Sequence, residues 1–248
     1  MKQENLETNG TDALVASTKS VLGVVPFAGP LLSELIGSLI PNQRIDRLTK
    51  YVKQLEIQIS SIENSKVRKA LDSSEGVDLI EEGFVQASRS LTHERIDYVA
   101  SVVANGIDSD MIEYSESKYL LKLLQELNEQ EIIWLRSYLS PLSDEGKEFR
   151  EKNKNVLEHI SAPAYCDART SKSSSLQRSY KEHLERIGLI SPKYRMNREK
   201  NMPKFDIHTG RPSILYRDIT SLGKLLLNQI GIYDPNHKIS LSIKQTDT

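Results

Sequence analysis

Between Ala13 and Pro41 the chain runs ALVASTKSVLGVVPFAGPLLSELIGSLIP, with Lys19 and Glu34 as its only charges. A stretch this apolar must leave water whatever else the fold does. Pro26 and Pro30 flank Phe27-Ala28-Gly29, and each proline removes an amide donor and disfavours helix at the residue before it. Two short helices around a turn are therefore expected. Each arm is about ten to thirteen residues long, against the roughly twenty needed to cross a bilayer. The contact surface of this hairpin would be Val21, Leu22, Val24, Val25, Phe27, Leu31, Leu32, Leu35, Ile36 and Ile40. It could serve a core, a sister chain or a membrane, and in lipid Glu34 would have to be paired or at the surface.

From Gln43 the pattern changes. Ile45, Leu48, Val52, Leu55, Ile59 and Ile62 recur at alternating steps of three and four, the seam of a short coiled coil. Tyr51 and Ile57 add apolar area. The seam is under three heptads, so packing within the chain and dimerisation both remain open.

Further helices are expected. Val77, Ile80, Phe84, Ala87 and Leu91 share one face, and Ile96, Val99 and Val103 share the next, with a stop at Asn105-Gly106. Leu120, Leu123, Leu124 and Leu127 mark another helix. Asn128 followed by Glu131 reads as a cap for the helix holding Ile132, Trp134, Leu135 and Leu139. A charged helix should run from Ser143 to about Ile160, with Phe149, Val156, Leu157 and Ile160 as its buried points.

The net charge of −1 conceals an asymmetry: residues 1–160 hold 18 Lys and Arg against 26 Asp and Glu, whereas residues 161–217 hold 12 against 5. Such polarity points to different partners for the two parts. SAPAYCDARTSKSSS, residues 161–175, is Ser-rich without apolar periodicity and reads as a linker. Beyond it Leu176, Tyr180, Leu184 and Ile187 form a helical face ending at Gly188. Leu189-Ile190 starts a strand, Ser213–Tyr216 is its partner, and a second helix spans Thr220–Ile230.

This order resembles the winged-helix module, carried by HLERIGLI followed by LYRDITSLGKLLLNQIGI. A basic wing would consist of Lys193, Arg195, Arg198, Lys200, Lys204, Arg211 and Arg217. Those charges suit several phosphates or an acidic protein surface. Glu182 and Glu185 on the preceding helix weigh against a phosphate groove. The expected class is mainly α: an N-terminal apolar helical hairpin, a helical bundle, and a C-terminal α+β winged-helix-like module. Its expected divisions are a tail 1–12, a helical domain 13–160 with hairpin 13–41, a linker 161–175, a module 176–239 and a tail 240–248.

Over most of residues 20–230 the pattern also resembles bacterial proteins of the abortive-infection alpha type. The carriers are VLGVVPFAGPLLSELIGSLIP, SRSLTHERIDYVASVVANGI, LLKLLQELNEQEIIWLRSYL, and HLERIGLI with ITSLGKLL. The resemblance implies a bacterial origin and a role in resistance to phage, with no catalytic residues to carry over. The alternative is a winged-helix DNA-binding transcriptional regulator.

His93, His159, His183, His208 and His237 are scattered, and neither HExxH, G-x-G-x-x-G nor GK[ST] occurs. The reading is a non-enzyme without cofactor, metal or small-molecule substrate. One cysteine, Cys166, precludes an internal disulfide and favours a reducing compartment. Glu4, Glu7 and Asp12 argue against a secretory signal. The protein is expected in the cytoplasm or on the inner membrane face. Its expected partners are a second copy, most simply in a dimer, a membrane surface, and nucleic acid at the wing.

Overall fold

A computed structural model describes residues 45–110, 112–161, 163, 165–197, 202–207 and 210–233. The apolar hairpin 13–41 and both expected tails lie outside them. Ten helices and two small sheets make up the described residues, so the fold is mainly helical with a small two-stranded sheet near the C-terminus. Two compact units divide the chain: Met1–Leu124 with Gln229–Gly231, and Gln125–Asn228 with Ile232–Thr248. The cut falls in the last turn of a helix, whereas the sequence reading places a boundary in the Ser-rich run.

In the first unit the helices are α1 (Ile45–Ile59), α2 (Asn64–Asp72), α3 (Ser74–Arg89), α4 (His93–Asp108) and α5 (Tyr114–Glu126). The expected seam faces this unit's own core: Leu48 and Leu55 are buried, and Tyr51, between them, is buried completely. Val52, Ile59 and Ile62 are half-buried. Ile62 lies past the end of α1, because the helix stops at Ile59. Tyr51 meets Phe84 of α3 edge-on, ring centroids 5.1 Å apart, the favoured geometry for two aromatic quadrupoles. Gly83 makes that approach possible, since a Cβ there would fall 2.3 Å from the Tyr51 hydroxyl and 2.7 Å from Val103 Cγ2.

Caps define the ends of α3 and α4. The Ser73 hydroxyl accepts from the Gly76 amide at 3.0 Å, and the Thr92 hydroxyl from the Arg95 amide at 3.2 Å. Two expectations need correction here. Leu91 is exposed, because α3 ends at Arg89 and leaves it in the turn. Gly106 is not a cap: α4 continues through it to Asp108, and it is buried where Leu79 and Ser117 crowd the helix.

The second unit holds α6 (Glu129–Ser137), α7 (Asp144–Lys152), α8 (Lys154–Leu157), α9 (Ala168–Arg186), β1 (Ile190–Tyr194), β2 (Met196–Asn197), β3 (Met202–Pro203) and β4 (Ile214–Ile219). To these it adds α10 (Ser221–Gln229) as far as Asn228. The cap expected at α6 is a reciprocal capping box: Asn128 Oδ1 accepts from the Glu131 amide, and Glu131 Oε2 from the Asn128 amide, both at 2.9 Å. Ser143 caps α7 through the Gly146 amide. The single helix expected over 143–160 is broken at Asn153, whose side chain turns back to the Phe149 carbonyl at 2.9 Å. Leu157 is buried there, whereas Phe149, Val156 and Ile160 are half-buried.

β1 and β4 pair antiparallel from Ile190↔Ile219 to Tyr194↔Ile214, with a bulge after Lys193. Beyond it β2 and β3 form a second small ladder. A ring of three backbone bonds joins the ladders: Arg195 donates to Ser213, Ser213 to Lys204, and Lys204 to Arg195.

Candidate nucleic-acid interface

Helix α9 begins where the sequence reading expects a linker. Residues 168–175 are its first two turns, because Asp167 caps it: Oδ1 accepts the Thr170 amide at 2.9 Å and Oδ2 the Thr170 hydroxyl at 2.6 Å. These bonds hold the Asp167 carboxyl below its usual range. Ser and Thr are modest helix formers that compete for backbone groups, so apolar periodicity could not reveal these turns. An Asp followed three residues later by Thr was the available signal.

The far end is equally well defined. Gly188, at φ +79°, lets the Leu189 amide reach the Leu184 carbonyl at 3.0 Å and its own amide reach Glu185 at 3.1 Å. That pair of bonds is the glycine-dependent helix stop. Of nineteen residues in α9, only Gln177 and Leu184 are buried. Leu176, expected on the apolar face, is 44% exposed.

Polar fastenings hold the C-terminal half of α9. His183 Nδ1 lies 2.6 Å from Glu131 Oε1, whose other oxygen already serves the α6 cap. Gln177 donates to the Glu158 carbonyl at 2.7 Å and accepts from the Ile160 amide at 3.3 Å. Lys181 stands over the Trp134 ring, Nζ 4.1 Å from its centroid.

The N-terminal half, ARTSKSSSLQRS, contains Arg169, Lys172 and Arg178 and no carboxylate. Arg169, Lys172, Leu176 and Ser179 follow one exposed stripe, and Ser171, Ser175 and Arg178 the next. The acids that weigh against a phosphate groove lie further along. Glu185 is paired with Arg217, Nε to Oε2 at 3.2 Å, and Glu182 sits one turn beyond Arg178.

Lys193, Arg195, Lys204 and Arg211 of the expected wing are all exposed. Arg198 and Lys200 lie outside the described residues. Arg217 does not belong with them: it shares the inward face of β4 with Ile219 and reaches Glu185. The outward face pairs Lys193 with Tyr216 and Ser191 with Asp218. Around these cations stand Tyr194, Met196, Met202, Phe205, Ile207, Leu215 and Tyr216, from 38% to 90% exposed.

Among the described residues no three His, Cys, Asp or Glu side chains lie together as a metal ion would need, and no helix is long and apolar enough to cross a membrane. The chain matches no family model, no curated protein and no solved structure.

Proposed function

We propose that α9, the β1–β4 hairpin and α10 form a winged-helix-like module that binds duplex DNA without catalysing a reaction. The first half of α9 would enter the major groove, and the hairpin would act as the wing along the backbone. The observation that carries this reading is the exposed half of α9. It combines three cations with Ser and Thr hydroxyls and lacks carboxylates. Cations and hydroxyls there suit phosphates, while Arg also suits base edges. Lys193, Arg195, Lys204 and Arg211 extend the positive surface over the hairpin.

Binding of this kind releases counterions, at a slope of about −0.9 in log–log form for each phosphate neutralised. The test is fluorescence anisotropy of a random-sequence duplex between about 50 and 200 mM salt. Replacing Arg169, Lys172 and Arg178 together by Ala should reduce the slope by about 2 to 3. Wild-type affinity in that variant at every salt concentration rejects the reading, as does an absence of binding at low salt.

A second reading is a bacterial defence or stress protein of the abortive-infection type, acting by self-association or membrane contact. Support for it comes from the resemblance described above and from Met196, Met202, Ile207 and Leu215, whose exposed aliphatic surface a phosphate cannot use. Phage challenge of cells expressing the triple Ala variant separates the two. Protection retained without duplex binding favours the contact mechanism. Deleting residues 13–41 should then abolish self-association or membrane recovery.

A further inference from the structure

Three ladders meet at the tip of the β1–β4 hairpin, and their registers sort its side chains onto two faces. β1 and β4 end at Tyr194↔Ile214, β2 and β3 begin at Met196↔Pro203, and a third pair closes at Phe205↔Pro212. Arg195, Lys204 and Ser213 come next in these ladders and are bonded to one another in the backbone ring. Residues opposite each other in an antiparallel ladder share a face, and the adjoining pair takes the other. The three ring residues therefore stand on one side. Their six neighbours, Tyr194, Met196, Pro203, Phe205, Pro212 and Ile214, stand on the opposite side.

That opposite face is apolar throughout. None of the six carries a charge, and Tyr194 alone among them has a side-chain hydrogen-bonding group. Leu215 is the extra residue of the bulge in β4, so β1 keeps its alternation and the six continue the face of Ile190. At the base of the hairpin this face is buried, with Ile190 2% exposed. At the tip it is open: Tyr194 is 38%, Met196 48% and Phe205 54% exposed, and the other three are half-buried. With rings of about 150 to 250 Å² each, these fractions leave about 400 Å² of apolar surface on each molecule. Protein interfaces are about 57% apolar, so a contact built around this patch on two copies totals about 1,400 Å², within the range of stable dimers.

The partner must match this chemistry. A nucleic acid or an acidic protein finds no cation there, because Arg195 and Lys204 stand on the other face. A second copy of the chain brings the same uncharged patch, which complements itself about a two-fold axis and keeps the cations of both copies apart. We propose that this apolar face joins two copies of the chain tip to tip, with the Arg195 and Lys204 face of each turned outward. The contact is independent of the exposed half of α9.

Sedimentation equilibrium of the full chain over a range of concentrations should show a reversible balance of monomer and dimer. Met196→Lys and Phe205→Lys place a charge on the apolar face in two different ladders, and each should raise the dimer dissociation constant at least about tenfold. Ser191→Lys adds the same charge to the outward face and should leave that constant within about twofold. Hydrogen exchange of the wild type needs no substitution: amides around Met196 and Phe205 should exchange more slowly at high than at low protein concentration. A chain that stays monomeric, exchange there that ignores concentration, or a dissociation constant unmoved in both Lys variants of the apolar face overturns the proposal. Two further outcomes also overturn it. Association lost on deleting residues 13–41 but undiminished in Met196→Lys and Phe205→Lys assigns the contact to that segment, and a monomer that floats with phosphatidylcholine vesicles unless Phe205 is replaced assigns the face to lipid. The Arg169, Lys172 and Arg178 triple Ala variant should keep the wild-type dimer, which separates failure here from failure of duplex binding.

Discussion

Helices α4 and α9 differ little in length and almost entirely in what holds them. α4 buries Ile96, Val99, Ala100, Val102, Val103, Ala104, Gly106 and Ile107, so half of its residues are committed to the core. α9 commits Gln177 and Leu184 and relies on the Asp167 cap, the Gly188 stop and a few polar fastenings. A helix built in the first way has little surface to spare. One built in the second way keeps a long exposed stripe whose residues the fold does not need, and whose charges can answer to a partner.

The contrast is broken most directly by truncating one side chain in each helix. Ile96→Ala should cost about 2 to 5 kcal/mol, since a buried side chain is lost and the neighbours close only partly around the space. Leu176→Ala should cost within about 0.5 kcal/mol, because that side chain already meets water. Urea unfolding followed by circular dichroism measures both. Comparable losses would mean that α9 is a packed core element, leaving no free face for binding.

Next in size is the polar fastening. His183→Ala leaves the Glu131 carboxylate, 3% exposed, with the Asn128 amide as its remaining bonded partner. A buried acceptor stripped of one partner costs about 1 to 3 kcal/mol. Stability unchanged by this substitution would show that α9 is not anchored through its C-terminal half.

The same two helices explain what the sequence could disclose. Ile96, Val99 and Val103 recur at helical spacing because burial selects for it, and α4 was legible from them. So were the Asn128–Glu131 cap, the Gly188 stop and the pairing of a strand starting at Leu189-Ile190 with one through Ser213–Tyr216, each carried by a local rule, although β4 runs on to Ile219. The first turns of α9 were not legible. Exposed Ser and Thr carry no periodicity, and composition there mimics a linker until the Asp167 cap is weighed. Arg217 was misplaced for a related reason: only β4's register decides whether it points to solvent or to Glu185. Tyr51 counted as marginal apolar area beside Leu48 and Leu55, yet it occupies the centre of the seam, because Gly83 opens space that one-dimensional spacing cannot reveal.

Removing the cap sharpens the comparison without touching any core. Asp167→Ala should fray the first turn of α9 and speed amide exchange at Thr170, while amides of α4 keep their protection. Acid should act in the same direction on the wild type. The folded carboxyl titrates below its ordinary value, so its contribution is present above about pH 4 and fades as pH falls through the folded value. Thr170 exchange that ignores both changes would assign the helix start to something other than this cap.

The smallest effect lies in the packed unit. The Tyr51 hydroxyl is buried with no hydrogen-bond partner among the described residues, and desolvation drives its pKa far above the ordinary tyrosine value. Tyr51→Phe removes an unpaired polar atom while keeping the edge-on contact with Phe84, so stability at neutral pH should hold or rise by about 1 kcal/mol. The sign of the pH effect follows from the raised value. Wild-type stability from this group is full below about pH 10, where the unfolded phenol also keeps its proton. It is lost as pH climbs higher, because only the unfolded chain can ionise. The phenylalanine variant lacks that loss, so the gap in its favour should widen in alkaline urea titrations. A variant less stable than wild type at neutral pH would mean that the hydroxyl has a partner after all, and that even the densest part of the seam is fastened by polar bonds as α9 is.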